Sequence, residues 1–373
     1  MGKNTQADQV ISYVYIHVPF CLRKCNYCSF FSVEFSKKAS SKFVKYLIKE
    51  ITLFKQKYNI KPKTIYFGGG TPSLLNAEQI NSIVSQFDIT EEEEITFECN
   101  PININNEFAE GLTSTQINRI SLGAQSFLDD ELKILGRLHK ADEINNAYKI
   151  LCDRGYKNIS LDLIYGLPNQ TKEDVEFSLD EIIKLDPEHI STYCLSLEEN
   201  VPLFSLVDQI PTDEKVAEFY YLIRNKLVFA GFDHYEISNF AKTGFESKHN
   251  LCYWNDEHYL GFGPSAAGYV GNVRYTNPAN FEEYYNMLNE SKIMQKQTIL
   301  KNNEHEKEYI FLGLRKATGL NLQKFEDKFK TNFTEKYNKV IQKFNNLLEI
   351  NDKKIKLNPE AYFISNEIFS EFM

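Results

Sequence analysis

The chain has 373 residues, 42% of them hydrophobic and 25% charged, with a formal net charge of −9. This is the composition of a folded globular protein, and it excludes disordered, collagen-like and mucin-like chains. The acidic balance also excludes a sequence-independent phosphate-binding surface, so nucleic acid is not an expected partner.

No apolar stretch is long enough for a membrane span. The opening MGKNTQADQVISYVYI has neither a signal-peptide core nor an Arg-rich transit pattern, so a cytoplasmic protein is expected. VYIHV at 14–18 reads as a buried strand that runs straight into CLRKCNYC. There Cys21, Cys25 and Cys28 form a C-x3-C-x2-C loop, a spacing that lets three thiolates converge on one metal centre. A zinc site needs a fourth ligand, and His17 stands four residues upstream to supply it. An iron–sulfur cluster held by three thiolates is the other reading, with one iron left open for a ligand. The loop alone leaves both open. The other cysteines (Cys99, Cys152, Cys194 and Cys252) are scattered singly among apolar residues and are expected as small buried hydrophobes.

Residues 43–58 carry apolar positions at helical spacing, and TIYF at 64–67 reads as the next strand. Gly68, Gly69, Gly70, Thr71 and Pro72 follow it at once. Three glycines let the backbone approach a ligand, and exposed N–H groups bind an anion, although a plain strand-to-helix turn uses the same residues. A helix over 77–87 comes next. EEEE at 91–94 reads as a solvated turn before a strand at 95–99, and further strands are expected at 119–126, 158–166 and 190–197. Helical stretches near 129–153, 171–185 and 212–230 alternate with them. Short apolar strands alternating with helices predict a parallel sheet covered by helices, closed into a full or partial α/β barrel. Glu98, Gln125 and Asp162 fall at or near successive strand ends, where a barrel places the groups that bind a polar ligand.

From about residue 298 the chain becomes rich in Lys, Asn and helical periodicity, and LLEINDKKIKLNPEAYFI reads as a hairpin around Asn351-Asp352. The expected organisation is a barrel over 1–235, an extension over 236–297 and a C-terminal helical, winged-helix-like domain over 298–373.

Taken in order, YIHVPF with the cysteine loop, FGGGTP, ECNP, SLGAQSF…LGRLH and SLDLIYGLPNQT resemble the radical S-adenosylmethionine (SAM) family. The resemblance is to the subgroup of the anaerobic coproporphyrinogen oxidase. YEISNFA, HNLCYW and YLGFGPSAAG are similar to its HemW-type heme chaperone branch. The implied fold is a partial (β/α)6 radical-SAM barrel with the small C-terminal domain. The resemblance implies that Cys21, Cys25 and Cys28 hold a 4Fe–4S cluster whose open iron binds SAM. Reductive cleavage then yields a 5′-deoxyadenosyl radical, which requires an electron donor. It implies that Tyr27 borders the adenine, that Gly69, Gly70 and Thr71 bind the methionine end, and that Tyr15 and Glu98 complete the site. Gln125, Arg137 and Asp162 match the residues holding a second SAM in the oxidase, and Ala267 matches a backbone contact to the first.

Two departures point from oxidase to chaperone. The oxidase pattern has a further Cys where this chain has Phe30, and about twenty residues precede Cys21, too few for the oxidase's N-terminal segment. The expected function is therefore binding heme and delivering it to apo-haemoproteins, with coproporphyrinogen III oxidation as the alternative. In HNLCYW, His249 is the candidate axial ligand, with Tyr253 and Trp254 as flat surface beside a macrocycle. Cys252 is a weaker candidate, and a hydrogen-bonded core histidine is the competing reading of His249.

Overall fold

The computed structural model describes residues 10–90 and 93–373. Glu91 and Glu92 of the acidic run lie outside the described residues. Among the described residues twelve strands form one sheet. In chain order they are β1 (Val10–Val18), β2 (Asn59–Gly69), β3 (Glu94–Cys99), β4 (Arg119–Gln125), β5 (Ile159–Tyr165), β6 (His189–Cys194), β7 (Asp233–Glu236), β8 (Asn239–Ala241), β9 (Tyr259–Phe262), β10 (Ala267–Val270), β11 (Val273–Thr276) and β12 (Lys296–Ile299). Their order in the sheet is β12-β11-β10-β9-β1-β2-β3-β4-β5-β6-β8-β7. Strands β1 to β6 and β9 run parallel, while β7, β8, β10, β11 and β12 add antiparallel edges. The barrel is therefore partial: β6 pairs with β8 rather than closing onto β9. The boundary expected at 235/236 falls inside β7.

Helices α1 (Lys37–Lys55), α2 (Ala77–Val84), α3 (Asn106–Thr113), α4 (Ala141–Asp153), α5 (Lys172–Leu185) and α6 (Asp213–Phe229) follow the strands. Local chemistry sets their starts. Ser36 caps α1, an Asn76–Gln79 capping box opens α2, and Thr171 with Asp174 opens α5. Phe43, Leu47, Ile51 and Phe54 recur at helical spacing on α1 and are buried against the sheet. Glu50, on the same helix, is wholly buried and accepts from the Gly263 N–H, Asn277 and Tyr284. Burial pushes its carboxyl up to about 7.

The strands are not the uniformly apolar ones expected. In β3 Ile95 and Phe97 alternate with Thr96 and Glu98, in β4 Ile120 and Leu122 with Arg119 and Ser121, and in β5 Leu161 and Leu163 with Ser160 and Asp162. The apolar set joins the core with the helices. The polar set faces the barrel interior and bonds across strands, Ser121 to Asp162 at 2.9 Å and Ser160 to His189 at 2.8 Å. Both faces are covered, and the inner one is held largely by hydrogen bonds rather than by apolar packing, although Arg119 Nε is buried without a partner among the described residues. Glu94 belongs to this interior rather than to a solvated turn. It is buried, and its carboxylate accepts the N–H groups of Lys248 and His249 at 3.1 Å.

Those N–H groups open α7 (Lys248–Trp254), the helix made by KHNLCYW. After α8 (Phe281–Asn289), α9 (Asn302–Leu314) and α10 (Leu322–Phe329) begin the C-terminal domain. Its small sheet includes the expected hairpin, Leu348–Ile350 against Lys354–Leu357. Phe325, Phe333, Tyr337 and Phe372 form its aromatic centre. Asp256, paired with His305 at 2.7 Å and Lys328 at 2.5 Å, ties it to the barrel. Among the described residues no helix is long and apolar enough to cross a membrane.

Candidate functional site

A cavity of about 650 Å³ opens where the parallel strands end, within the usual size range of a small-molecule site. Cys21, Cys25 and Cys28 border it, all three half-buried and free. Their loop is pinned on both sides. The Phe35 N–H donates to the Cys21 carbonyl at 3.0 Å, and Asn26 bonds through its N–H and its side chain to the carbonyls of Leu135 and Ile134 at 2.9 Å. The Thr71 hydroxyl lies 3.7 Å from Cys21 Sγ and Arg137 Nη1 3.6 Å from Cys25 Sγ, so donors face two of the thiols. Burial pushes the Cys28 thiol up.

His17 does not complete a zinc tetrahedron. It is buried, its Nε2 donates to the Phe31 carbonyl at 3.0 Å and its Nδ1 faces the Tyr15 hydroxyl at 3.2 Å. Among the described residues no three His, Cys, Asp or Glu side chains are placed to hold one metal ion. Three thiols spread along a cavity wall with cationic and hydroxyl donors beside them fit a larger anionic metal–sulfur group.

Beside the start of the loop lies the glycine turn. A Cβ on Gly69, at φ +109°, would meet the His17 ring at 2.5 Å, and one on Gly70 would meet the Phe20 carbonyl at 2.6 Å. Only glycine fits here. Glu98 borders the same cavity and accepts from the Gly69 N–H at 3.1 Å and from Tyr66 at 2.9 Å. Burial raises its carboxyl to about 7. Thr71 and Tyr27 complete this side.

Gln125, Arg137 and Asp162 also line the cavity. Gln125 sits at a break in the β4–β5 register with φ +71°, a strained conformation for a residue with a side chain. Arg137 bonds the Gly123 carbonyl at 2.9 Å. Burial lowers its pKa, but Tyr27 and Cys25 outweigh that and hold it charged. Burial raises the Asp162 carboxyl against the bonds from its serine neighbours.

Three of the expected residues lie elsewhere. Tyr15 is half-buried behind Tyr66, its ring stacked on that cavity residue at 6.1 Å. Ala267 is exposed on β10, its backbone packed against Gly261. His249 is 1% exposed, its Nδ1 bonded to Thr64 at 2.7 Å and its Nε2 to the Tyr253 hydroxyl at 2.8 Å. Burial holds it neutral, with its pKa lowered to about 3. With both ring nitrogens engaged and no open face, His249 is a core histidine here, not a ligand presented to a macrocycle. Cys252 is likewise buried.

The sequence reading missed Tyr66, Ser121 and Tyr193, which the structure brings to the cavity. Tyr66 and Ser121 stand one alternate position from Thr64 and Arg119, so strict period-two reading of each strand finds them. Cys194, expected buried, is exposed at the end of β6 and borders the cavity, and Cys152 is exposed on α4. Cys99 and Cys252 are buried as expected.

Residues 15–182 match the radical SAM superfamily and residues 300–364 the HemN C-terminal domain. The heme chaperone HemW of Lactococcus lactis subsp. lactis is 36% identical over 369 residues, covering 96% of each chain. The chain belongs to the HemW family of radical SAM proteins. The heme chaperone HemW of Bacillus subtilis is 33% identical over 372 residues, covering 96% of this chain and 98% of that one. Among solved structures, coproporphyrinogen III oxidase (HemN) from Escherichia coli superposes with a TM-score of 0.86 over 98% of this chain and 91% of its own. At 19% identity that likeness is one of fold. The partial barrel and C-terminal domain are thus shared across both branches, and the HemW family membership rests on the sequence.

Proposed function

We propose that this protein is a radical SAM heme chaperone, which binds heme and passes it to apo-haemoproteins. The observation that carries the reading is the end-to-end match to relatives named heme chaperone HemW, where the oxidase shares only the fold. Phe30 supports it. It is 65% exposed at the cavity mouth, where the oxidase pattern has a cysteine.

Cys21, Cys25 and Cys28 are the residues that would hold a 4Fe–4S cluster, and Gly69, Gly70, Thr71, Tyr27 and Glu98 those that would hold SAM. Together these cofactors supply one-electron cleavage of a sulfonium bond, with the electron from a donor protein or small reductant. The chain's own contribution is positional. The Gly69 and Gly70 backbone admits the ligand closely, and Glu98, ionised above its raised pKa, faces a cationic ligand in a partly dry site. Arg137 offsets negative charge gathered beside Cys25. Gln125, Arg137 and Asp162 share this cavity, and in the oxidase alternative they would hold a second SAM.

The test is paired. Anaerobically reconstituted protein is expected to bind heme with a Soret shift and to transfer it to an apo-haemoprotein, while forming no protoporphyrinogen from coproporphyrinogen III. Turnover to protoporphyrinogen would replace the chaperone reading with the oxidase. Cys21→Ala is expected to abolish the iron–sulfur absorbance, and full iron retention in it would remove the cluster assignment.

A further inference from the structure

A second cavity, of about 430 Å³, lies between the end of α7 and the C-terminal domain. Trp254 and Asn255 border it from the barrel side. From the other side come Tyr309 and Gly313 on α9, Lys316 and Gly319 in the turn after it, Lys324 on α10 and Lys354 in the hairpin.

Its charge is unusual for an acidic chain. Lys316, Lys324 and Lys354 converge on it, against Glu257 as the one acidic residue of its lining. None of the three lysines has an ion pair among the described residues. Lys316 is partly buried and donates to Asn255 Oδ1 at 2.5 Å, a neutral acceptor. Burial, with Lys324 beside it, lowers its pKa to about 8. Placing an ammonium where water is scarce, with Glu257 nearby but no ion pair formed among the described residues, costs free energy, which an arriving anion returns.

The aromatic half is equally unfinished. Trp254, the chain's single tryptophan, has its indole N–H buried without an acceptor among the described residues. The Arg315 guanidinium lies over its ring at 4.4 Å, with Glu236 as its own counter-ion at 3.8 Å. Flat apolar surface beside three cations is the complement of a planar apolar molecule that carries carboxylates.

We propose that this junction cleft holds the propionate edge of a tetrapyrrole, the carboxylates on Lys316, Lys324 and Lys354 and the ring edge against Trp254 and Tyr309. The assignment rests on the reading of the protein as a heme binder and gives that binding a place. It also accounts for the HNLCYW helix without exposing His249: the helix is anchored in the core at His249 and delivers Trp254 to the cleft. The main cavity differs in its charge, with Glu98, Asp162 and Glu198 set against Arg23 and Arg137 in its lining.

The experiment titrates the full-length protein with heme, followed by Soret absorbance. Lys316→Met/Lys324→Gln keeps the aliphatic stems and removes two charges, and Lys316→Glu/Lys324→Glu reverses them. Circular dichroism checks that each is folded. The neutral pair is expected to weaken heme binding about tenfold and the reversed pair more. Protoporphyrin dimethyl ester, whose carboxylates are blocked, is expected to bind the unaltered chain and the variants alike. Unchanged heme affinity in both folded variants would overturn the site and leave the chaperone reading standing. Absence of heme binding by the unaltered chain would overturn both. Displacement of heme by excess inorganic phosphate would make the cleft a general oxyanion site and overturn the tetrapyrrole assignment.

Discussion

The outer and inner faces of the same barrel strands divide the work of the molecule. Outward, Ile95, Phe97, Ile120, Leu122, Leu161 and Leu163 are closed against helices. Inward, the intervening residues build a hydrogen-bonded lattice that ends in the cavity. Neighbours one residue apart thus answer to different constraints: volume on one face, donors and acceptors on the other. The outer face holds the fold through apolar burial, and the inner face stores polarity for a ligand at a cost met by mutual bonding.

Adjacent positions on β3 test this most sharply. Phe97 is fully buried and packs on Phe67 with ring centroids 5.5 Å apart. Phe97→Ala is expected to cost about 3–5 kcal/mol in urea unfolding while leaving SAM affinity of the folded protein unchanged. A large loss of affinity instead would break the division between the faces.

Glu98 is the inner counterpart. Its carboxyl is raised by burial from 4.5 to about 7, so the folded state favours the protonated form. The stability this confers is complete below pH 4.5 and is lost as the pH rises through 7. Glu98→Gln is expected to flatten the stability profile across that window by about 1–3 kcal/mol and to weaken SAM binding. Urea midpoints at pH 5 and pH 8 measure the first effect, and equilibrium binding measures the second. An unchanged slope would mean that another group, Glu50 foremost, carries it.

His249 sharpens the comparison from the floor of the interior. His249→Gln removes a side chain bonded at both ends and is expected to cost about 1–3 kcal/mol, with heme affinity of the folded protein retained. Loss of the Soret shift with stability intact would restore it as a ligand. The smallest effect is expected at Gln125, where φ is +71°. Gln125→Gly relieves the strain and is expected to stabilise by up to about 1 kcal/mol while weakening ligand binding. Destabilisation would show that the side chain holds the bulge.

The parts of the site legible in the chain were those whose chemistry is local. Cys21, Cys25 and Cys28 lie within one loop, and Gly68, Gly69 and Gly70 are consecutive, so spacing alone exposed them. Glu98, Gln125 and Asp162 were legible one step further, because a parallel barrel collects strand ends. The apolar reading of the strands failed because a buried inner face was assumed to be apolar. Ser121, Ser160 and His189 are buried through bonds to partners on neighbouring strands, which no single strand reveals. His249 and Ala267 were carried by motif, and motif does not say which way a side chain faces.

By itself the sequence determined the cysteine loop, the glycine turn, the alternation of strands and helices and the family, because each is written in residues close along the chain. Only the tertiary structure decided that His249 is spent on Thr64 and Tyr253, that Cys194 borders the cavity, and that Lys316, Lys324 and Lys354 meet beside Trp254. Those outcomes depend on which distant segments pack together, and hydrogen bonding and burial are set by that packing rather than by residue type.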